Sequence, residues 1–199
     1  MENTSKVVRF DPALVEKAGL DRETQELLLH SGLLQIRMNG EDILGIRFDS
    51  QTNQGLIWAE DDLRMLLPIG YEWDEKTAIL GLEAGTGILY RIDVQTGECA
   101  VVNSSIHRFM EFLHRYASFI HEHSKQAAPS VMTLEQAQAK LEAFRRGEIK
   151  PRSQQSDRST RDQALKDLRL FYTEKDPVSV LNEETWWSVV LEQVEDGVL

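Results

Sequence analysis

The stretch that most restricts the fold of this chain runs from residue 85 to residue 120 and reads GTGILYRIDVQTGECAVVNSSIHRFMEFLHRYASFI. Residues 88–93 and 99–102 are rich in β-branched and aromatic side chains, which favours two strands. Gly97 between them can take the positive φ that a short hairpin loop requires. Ser104 and Ser105 then offer oxygens that can cap a helix. The stretch therefore predicts a β-hairpin that leads directly into a helix.

The predicted helix after Ser105 is amphipathic. Its apolar residues recur at steps of three or four, which places them on one face: Ile106, Phe109, Leu113, Tyr116 and Ile120. Such a face has to be buried against another element, and the preceding hairpin is the nearest one. A hairpin packed against a helix predicts a layered α+β arrangement.

The rest of the first 105 residues extends this pattern. Helices are predicted over residues 11–30, where Asp11 and Asp21 are candidate caps and Pro12 takes a favoured first helical position. Further strands are predicted at residues 33–38, 43–48, 55–58 and 77–82, and a short helical turn at residues 61–67. Strands at this spacing with short turns favour a mostly antiparallel sheet. We therefore predict an α+β fold whose central sheet is covered by helices.

The C-terminal third is predicted to be helical. Residues 127–130 read as a linker, and capping boxes at Thr133 and Thr160 open two helices. The polar residues 148–160 predict a flexible or disordered connector. A last helix is predicted at residues 183–195, either docked on the body or free to fill a partner's groove. The predicted organisation is an α+β domain over residues 1–125 and a helical C-terminal extension over residues 131–199.

Composition limits the class of protein. The chain has 199 residues, a net charge of −11 and a single cysteine, Cys99. One cysteine excludes an intrachain disulfide and fits a reducing compartment, so we expect a cytoplasmic protein. We see no long apolar run or secretory signal that would predict a membrane span or export. The acidic charge argues against direct nucleic-acid binding and suits either solubility or steering toward a basic partner.

The sequence carries no convincing catalytic or metal-binding motif. His107, His114 and His121 are seven residues apart, so each step rises about 10 Å along a helix and no two can share one ion. Residues 81–87, GLEAGTG, lack the lysine of a phosphate-binding loop and predict a hairpin connection instead. Ser104 and Ser105 have no nucleophile elbow around them. We therefore predict no enzyme activity, no metal and no cofactor.

The side chains that most suggest a binding surface are acidic and aromatic. Two predicted loops combine carboxylates with tryptophan, and aromatic residues dominate the energetics of protein interfaces. Solvated loops, buried tryptophans and glycosidase-like carboxylate pairs remain alternative readings. The predicted partner-binding residues are Trp58, Glu60, Asp61, Asp62, Glu72, Trp73, Asp74 and Glu75.

The central stretch also resembles a known family. The pattern "tyr-x-ile-asp … thr-gly … val-asn-ser-ser … phe-x-x-phe-leu … tyr" is similar to the signature of the SUKH superfamily, most of all its fourth family. The resemblance is clearest over residues 40–120, with a weaker echo at Asp176-Pro177 and Trp186-Trp187. The matching residues are Tyr90, Ile92, Asp93, Thr96, Gly97, Val102, Asn103, Ser104, Ser105, Phe109, Phe112, Leu113 and Tyr116.

What the resemblance implies is an immunity protein of a bacterial polymorphic toxin system. Such a protein binds a cognate toxin, commonly a nuclease or nucleic-acid deaminase with a basic cleft, and its gene usually lies beside the toxin gene. An acidic surface that occludes the cleft would then protect the cell. Two alternatives stay open: a ligand-sensing or scaffold domain of the same fold, and a hydrolase that uses loop carboxylates.

Overall fold

The computed structural model describes most of the chain. The described residues are 6–50, 55–59, 64–124, 146 and 154–198. Several predictions fall outside them and are therefore not addressed by the structure: the linker at residues 127–130, the helix opened at Thr133, and the acidic residues 60–62.

Two short capped helices lie in the N-terminal part of the chain, α1 (Pro12–Ala18) and α2 (Arg22–Glu26), and a π-helical turn (Leu27–Ser31) follows. The Asp11 side chain accepts a hydrogen bond from the N–H of residue 13 at 2.7 Å, and Asp21 accepts one from residue 24 at 3.0 Å. These bonds satisfy amide groups that the first turn of a helix leaves unpaired. The predicted helices and both aspartate caps are confirmed.

A central antiparallel sheet follows, as the sequence predicts. Its strand order is β10-β9-β8-β7-β5, and β6 also pairs with β7. Every pairing in this sheet is antiparallel. The strands are β5 (Ile46–Phe48), β6 (Ile57–Ala59), β7 (Arg64–Glu72), β8 (Ala78–Glu83), β9 (Leu89–Asp93) and β10 (Cys99–Asn103).

The longest strand, β7, is the main feature that the sequence reading missed. Residues 64–67 were predicted as part of a helical turn, but they form the first half of β7. The sequence pattern does not predict this strand, because it contains Pro68 and Gly70, and both residue types are unusual inside strands. The structure accommodates them with a break in register between Pro68 and Gly70. Gly70 also allows a close approach, since a Cβ there would collide with the carbonyl of Arg47.

Other element bounds also differ from the prediction. Residues 33–38 form no single strand but belong to two separate two-stranded pairings, and residues 43–45 form a 3₁₀ turn rather than the start of a strand. The helix predicted to open at residue 160 starts at residue 154, so residues 154–160 are helical rather than a flexible connector. The last helix starts at residue 186, not 183.

The short strands outside the central sheet are β1 (Val7–Val8), β2 (Leu33–Leu34), β3 (Arg37–Met38) and β4 (Glu41–Asp42).

Three longer helices share one hydrophobic core with the sheet. They are α3 (Ile106–Ser124), α4 (Gln154–Lys175) and α5 (Trp186–Glu195). Phe109, Phe112 and Leu113 of α3 are fully buried beside Tyr172 of α4 and Trp187 of α5. The Phe112 and Tyr172 rings stack with centroids 4.0 Å apart. The apolar face predicted for α3 is therefore confirmed, and the α+β fold class is confirmed with it.

The C-terminal segment is docked on the body through a buried polar network as well as through apolar contacts. Asp176, only 3% exposed, accepts hydrogen bonds from Asn103 Nδ2 and from the backbone N–H of Ser104, both at 2.8 Å. Asn103 Oδ1 in turn accepts a hydrogen bond from Trp187 Nε1 at 2.8 Å. Of the two alternatives for the last helix, the structure shows the docked one.

A smaller apolar cluster forms apart from the main core. It contains Ala59, Leu66, Tyr90 and Ile92, with Ile57, Ile88, Cys99 and Val101 packed against it. Cys99 is half-buried in this cluster. Among the helices that the structure describes, none combines the length and the apolar character needed to cross a membrane.

Candidate partner-binding surface

Among the predicted contact residues that the structure describes, Trp58 lies beside the start of β7 and residues 72–75 lie at its end. Trp58 pairs with Met65 near the start of β7, and Glu72 is the last residue of that strand. Seven residues of extended chain span roughly 23 Å at about 3.3 Å per residue. The structure therefore places Trp58 and residues 72–75 on two separate surfaces.

At the start of β7, Trp58 is exposed. Its exposed fraction is 64%, whereas Ala59 beside it is buried in the smaller apolar cluster. Successive side chains of a strand alternate between faces, so Trp58 points away from that cluster. The alternative that this tryptophan is buried is wrong. Glu60, Asp61 and Asp62, predicted as contacts beside it, lie outside the described residues.

At the other end, Trp73 is exposed by 67% although its backbone is tightly held. Its N–H donates a hydrogen bond to the carbonyl of Gly45 at 2.8 Å. Its φ is +66°, a left-handed conformation that costs a non-glycine residue about 1–2 kcal/mol. The burial alternative is wrong for this tryptophan too.

The indole of Trp73 is held on one side by Gly45. A Cβ built on Gly45 would lie 2.5–2.8 Å from three carbons of the indole ring, so the ring packs directly on the glycine backbone. Gly45 itself has a φ of +68°, where glycine is the least strained residue. With one face on Gly45 and most of the side chain exposed, the other face of the ring is presented to solvent.

Asp74 and Glu75 follow in the turn between β7 and β8, and both are exposed. Asp74 Oδ1 accepts hydrogen bonds from the backbone N–H of Lys76 at 2.8 Å and from Thr77 Oγ1 at 3.2 Å. The bond from the Lys76 backbone, followed by the bonds from Thr77, holds the pKa of Asp74 below its ordinary value. Asp74 therefore carries its charge and also fixes the shape of the turn next to Trp73.

Glu72 is placed differently from the other predicted contacts. Its Oε2 accepts a hydrogen bond from Arg91 Nε at 2.6 Å, and its Oε1 accepts one from Trp186 Nε1 at 3.0 Å. The side chain is only 13% exposed. Both carboxylate oxygens of Glu72 thus accept hydrogen bonds within the protein. Through these bonds Glu72 links α5 to the sheet.

The structure adds the turn between β9 and β10 to this surface. The N–H of Val94 donates to the carbonyl of Thr77 at 3.1 Å, which ties the two turns together. Val94 is 44% exposed, and Glu98 is exposed as well. Asp93 Oδ1 accepts hydrogen bonds from Gln95 and Thr96, both at 2.9 Å, and the bond from the Thr96 backbone contributes most to holding the pKa of Asp93 low.

We call residues 72–77 and 91–98 together the Trp73 end of the sheet. Sequence reasoning could have joined them, because successive antiparallel hairpins place alternate turns at the same end of a sheet. Joining the two turns requires β7, which the sequence pattern does not predict. The Trp73 end holds five carboxylates and two cationic side chains, a net charge of −3.

The other candidate groups serve structural roles. Ser105 Oγ accepts the N–H of Arg108 at 3.3 Å, as predicted for a helix cap. Residues 84–88 connect β8 to β9 as the predicted hairpin, with the N–H of Gly87 donating to the carbonyl of Glu83 at 2.8 Å. Within the described parts of the chain, no group of three or more histidine, cysteine or acidic residues is arranged to hold a metal ion.

Comparison with known proteins gives one result. Residues 3–193 match the family model described as SUKH-4 immunity protein, which covers nearly the whole chain and includes the C-terminal helices. No curated protein and no solved structure matches the chain.

Proposed function

The chain belongs to the SUKH-4 immunity protein family, and from that premise we propose that it protects its producer by binding a toxin and covering the toxin's active cleft. Family membership implies immunity to a toxin, and proteins of this family are generally not enzymes. The proposal adds the mechanism, which is occlusion without turnover. It also adds the class of toxin, a nuclease or nucleic-acid deaminase with a basic cleft.

The observation that carries the proposal is the exposure of two tryptophans on an acidic protein. Trp58 and Trp73 are 64% and 67% exposed, and the net charge of the chain is −11. Enzymes that act on nucleic acids grip phosphates with basic surfaces. An acidic protein is steered toward such a surface, and exposed aromatic side chains can then anchor the contact.

We expect a cognate toxin domain to be encoded beside the gene for this chain, and binding and protection can be tested with that domain. Co-expression should restore growth of cells that produce the toxin domain, and the purified proteins should form a complex by calorimetry. A complex that leaves the toxin's activity on nucleic acid unchanged would contradict occlusion. Turnover of the toxin, or of its substrate, by this chain alone would contradict a non-enzymatic mechanism.

Steering by charge has its own test. We expect Asp61→Lys with Asp62→Lys to lower the association rate by about 10-fold at low salt, because charge complementarity acts mainly on association. The difference should shrink at high salt, where the Debye length is short. Glu16→Lys with Glu174→Lys is the matched control, since both residues are exposed and the change in net charge is the same. Equal association rates for the Asp61 and Asp62 variant and the parent would remove these two residues from the proposed contact surface.

A further inference from the structure

We propose that the Trp73 end of the sheet, rather than the Trp58 end, is the anchor for the toxin, and that it receives a cationic side chain, preferably arginine. The inference rests on the proposed function and deepens it by choosing one of the two exposed tryptophans. It also assigns a contact role to Glu98, which the sequence did not indicate.

The first argument is the rigidity of Trp73. Gly45 supports one side of the indole, and the hydrogen bond from the Trp73 N–H to Gly45 fixes the backbone. The bonds that Asp74 accepts from Lys76 and Thr77 brace the turn on the other side. A side chain that is already fixed loses little conformational entropy on binding, so it makes a strong anchor.

The second argument is the strain at this position. Trp73 adopts a positive φ, and so does Leu44, the residue before the glycine on which the indole packs. Folding gains little from the Trp73 side chain, because two thirds of it stays in solvent. Strained backbone is concentrated at functional sites in proteins, and here it presents a large aromatic ring to the outside.

The third argument is charge. The Trp73 end has a net charge of −3, and its exposed acidic residues Asp74, Glu75 and Glu98 lie in the two turns that Val94 and Thr77 join. A guanidinium group can stack on the open face of an indole and pair with carboxylates at its edge. An exposed indole on an acidic surface thus fits an arginine from a basic cleft.

Trp58 lacks these supports among the described residues. It lies on the three-residue edge strand β6, and no hydrogen bond or glycine contact is seen to fix its indole there. The two tryptophans have nearly equal exposure, so they form a matched pair for testing. Removing either ring deletes a similar amount of exposed apolar surface.

The experiment compares Trp73→Ala and Trp58→Ala in binding to the toxin domain encoded beside this chain's gene. We expect Trp73→Ala to weaken the affinity at least about 30-fold, the size of an interface hot spot, with most of the change in the dissociation rate. Trp58→Ala should change the affinity less than about 5-fold, as most interface residues do. Trp73→Tyr should recover part of the loss, and Trp73→Gly replaces the alanine variant if that variant does not fold.

The outcomes separate the two proposals. If the parent chain does not bind this toxin domain, the proposed function itself is wrong. If the parent binds but Trp73→Ala binds equally well, or Trp58→Ala loses more affinity, the anchor is not at the Trp73 end and the function stands. Glu75→Lys tests the charge argument, because Glu75 is exposed in the same turn. It should slow association at low salt, and an unchanged rate would contradict a cationic partner group.

Discussion

The buried hydrogen bonds of Asp176 should account for a large part of the stability of this protein. Asp176→Ala would leave the fully buried amide of Asn103 without its acceptor, which costs about 1–3 kcal/mol. It would also remove a bond from the Ser104 N–H to a charged acceptor, worth about 1.5–3 kcal/mol, although water can partly replace that bond. The desolvation cost of the buried carboxylate disappears in the variant and offsets part of the sum.

Together these contributions should lower the free energy of unfolding by about 3 kcal/mol. The total for a typical protein is about 5–15 kcal/mol. Urea denaturation followed by circular dichroism would measure it. With a slope of about 2.5 kcal/mol per molar urea, the midpoint should fall by about 1 M. Asp176→Asn keeps a side-chain acceptor and should lie between the parent and the alanine variant.

The control for this experiment is Glu174→Ala, an exposed carboxylate two residues away on α4. It should stay within about 0.5 kcal/mol of the parent, as surface substitutions usually do. If Asp176→Ala also stays within 0.5 kcal/mol with an unchanged slope, the network does not stabilise the fold and our reasoning is refuted. A reduced slope would instead show that less surface is exposed on unfolding, because the C-terminal helices have already detached in the variant.

Two further predictions concern the Trp73 end. Gly45→Ala should destabilise the protein by about 2 kcal/mol, because the new Cβ meets the indole of Trp73 and the φ of +68° at residue 45 disfavours alanine. Adding Trp73→Gly should recover the part of this loss that is due to the clash. Thermal unfolding of the single and the double variant tests this. The pKa of Asp93 is held low in the folded protein by bonds from the backbone of Thr96 and Gln95, so its contribution to stability is present above the ordinary pKa near 4 and is lost as the pH falls through the lower folded-state value. As the pH falls below about 4, the unfolding free energy of Asp93→Asn should therefore decrease less steeply than that of the parent, and equal slopes would contradict the assignment.

The Asp176 network also explains the weaker part of the resemblance read from the sequence. Asn103 and Ser104 belong to the central signature, whereas Asp176 and Trp187 lie more than 70 residues later in the chain. In the structure they form one chain of hydrogen bonds. The match of the family model to residues 3–193 agrees with a family pattern that includes both segments. The domain division after residue 125 stays a prediction, although residues of α4 and α5 share the main core.

The local elements of this fold can be predicted from neighbouring residues alone. The caps at Asp11, Asp21 and Ser105 and the hairpin leading into α3 depend on side chains and backbone groups a few positions apart. Turn and cap chemistry is local, and the apolar period of a helix is visible in any short window. The acidic charge and the family resemblance were likewise present in the sequence.

Long-range packing, in contrast, sets which surface these elements form. β7 is held in place by its neighbours β5, β6 and β8, whose pairing outweighs the poor strand propensity of Pro68 and Gly70. The same packing joins Glu72 to Arg91 and Trp186, and it places Trp58 beside the start of β7 and Trp73 directly after its end. Contacts between residues distant in sequence arise from the register and packing of whole elements, and no local pattern of side chains encodes them.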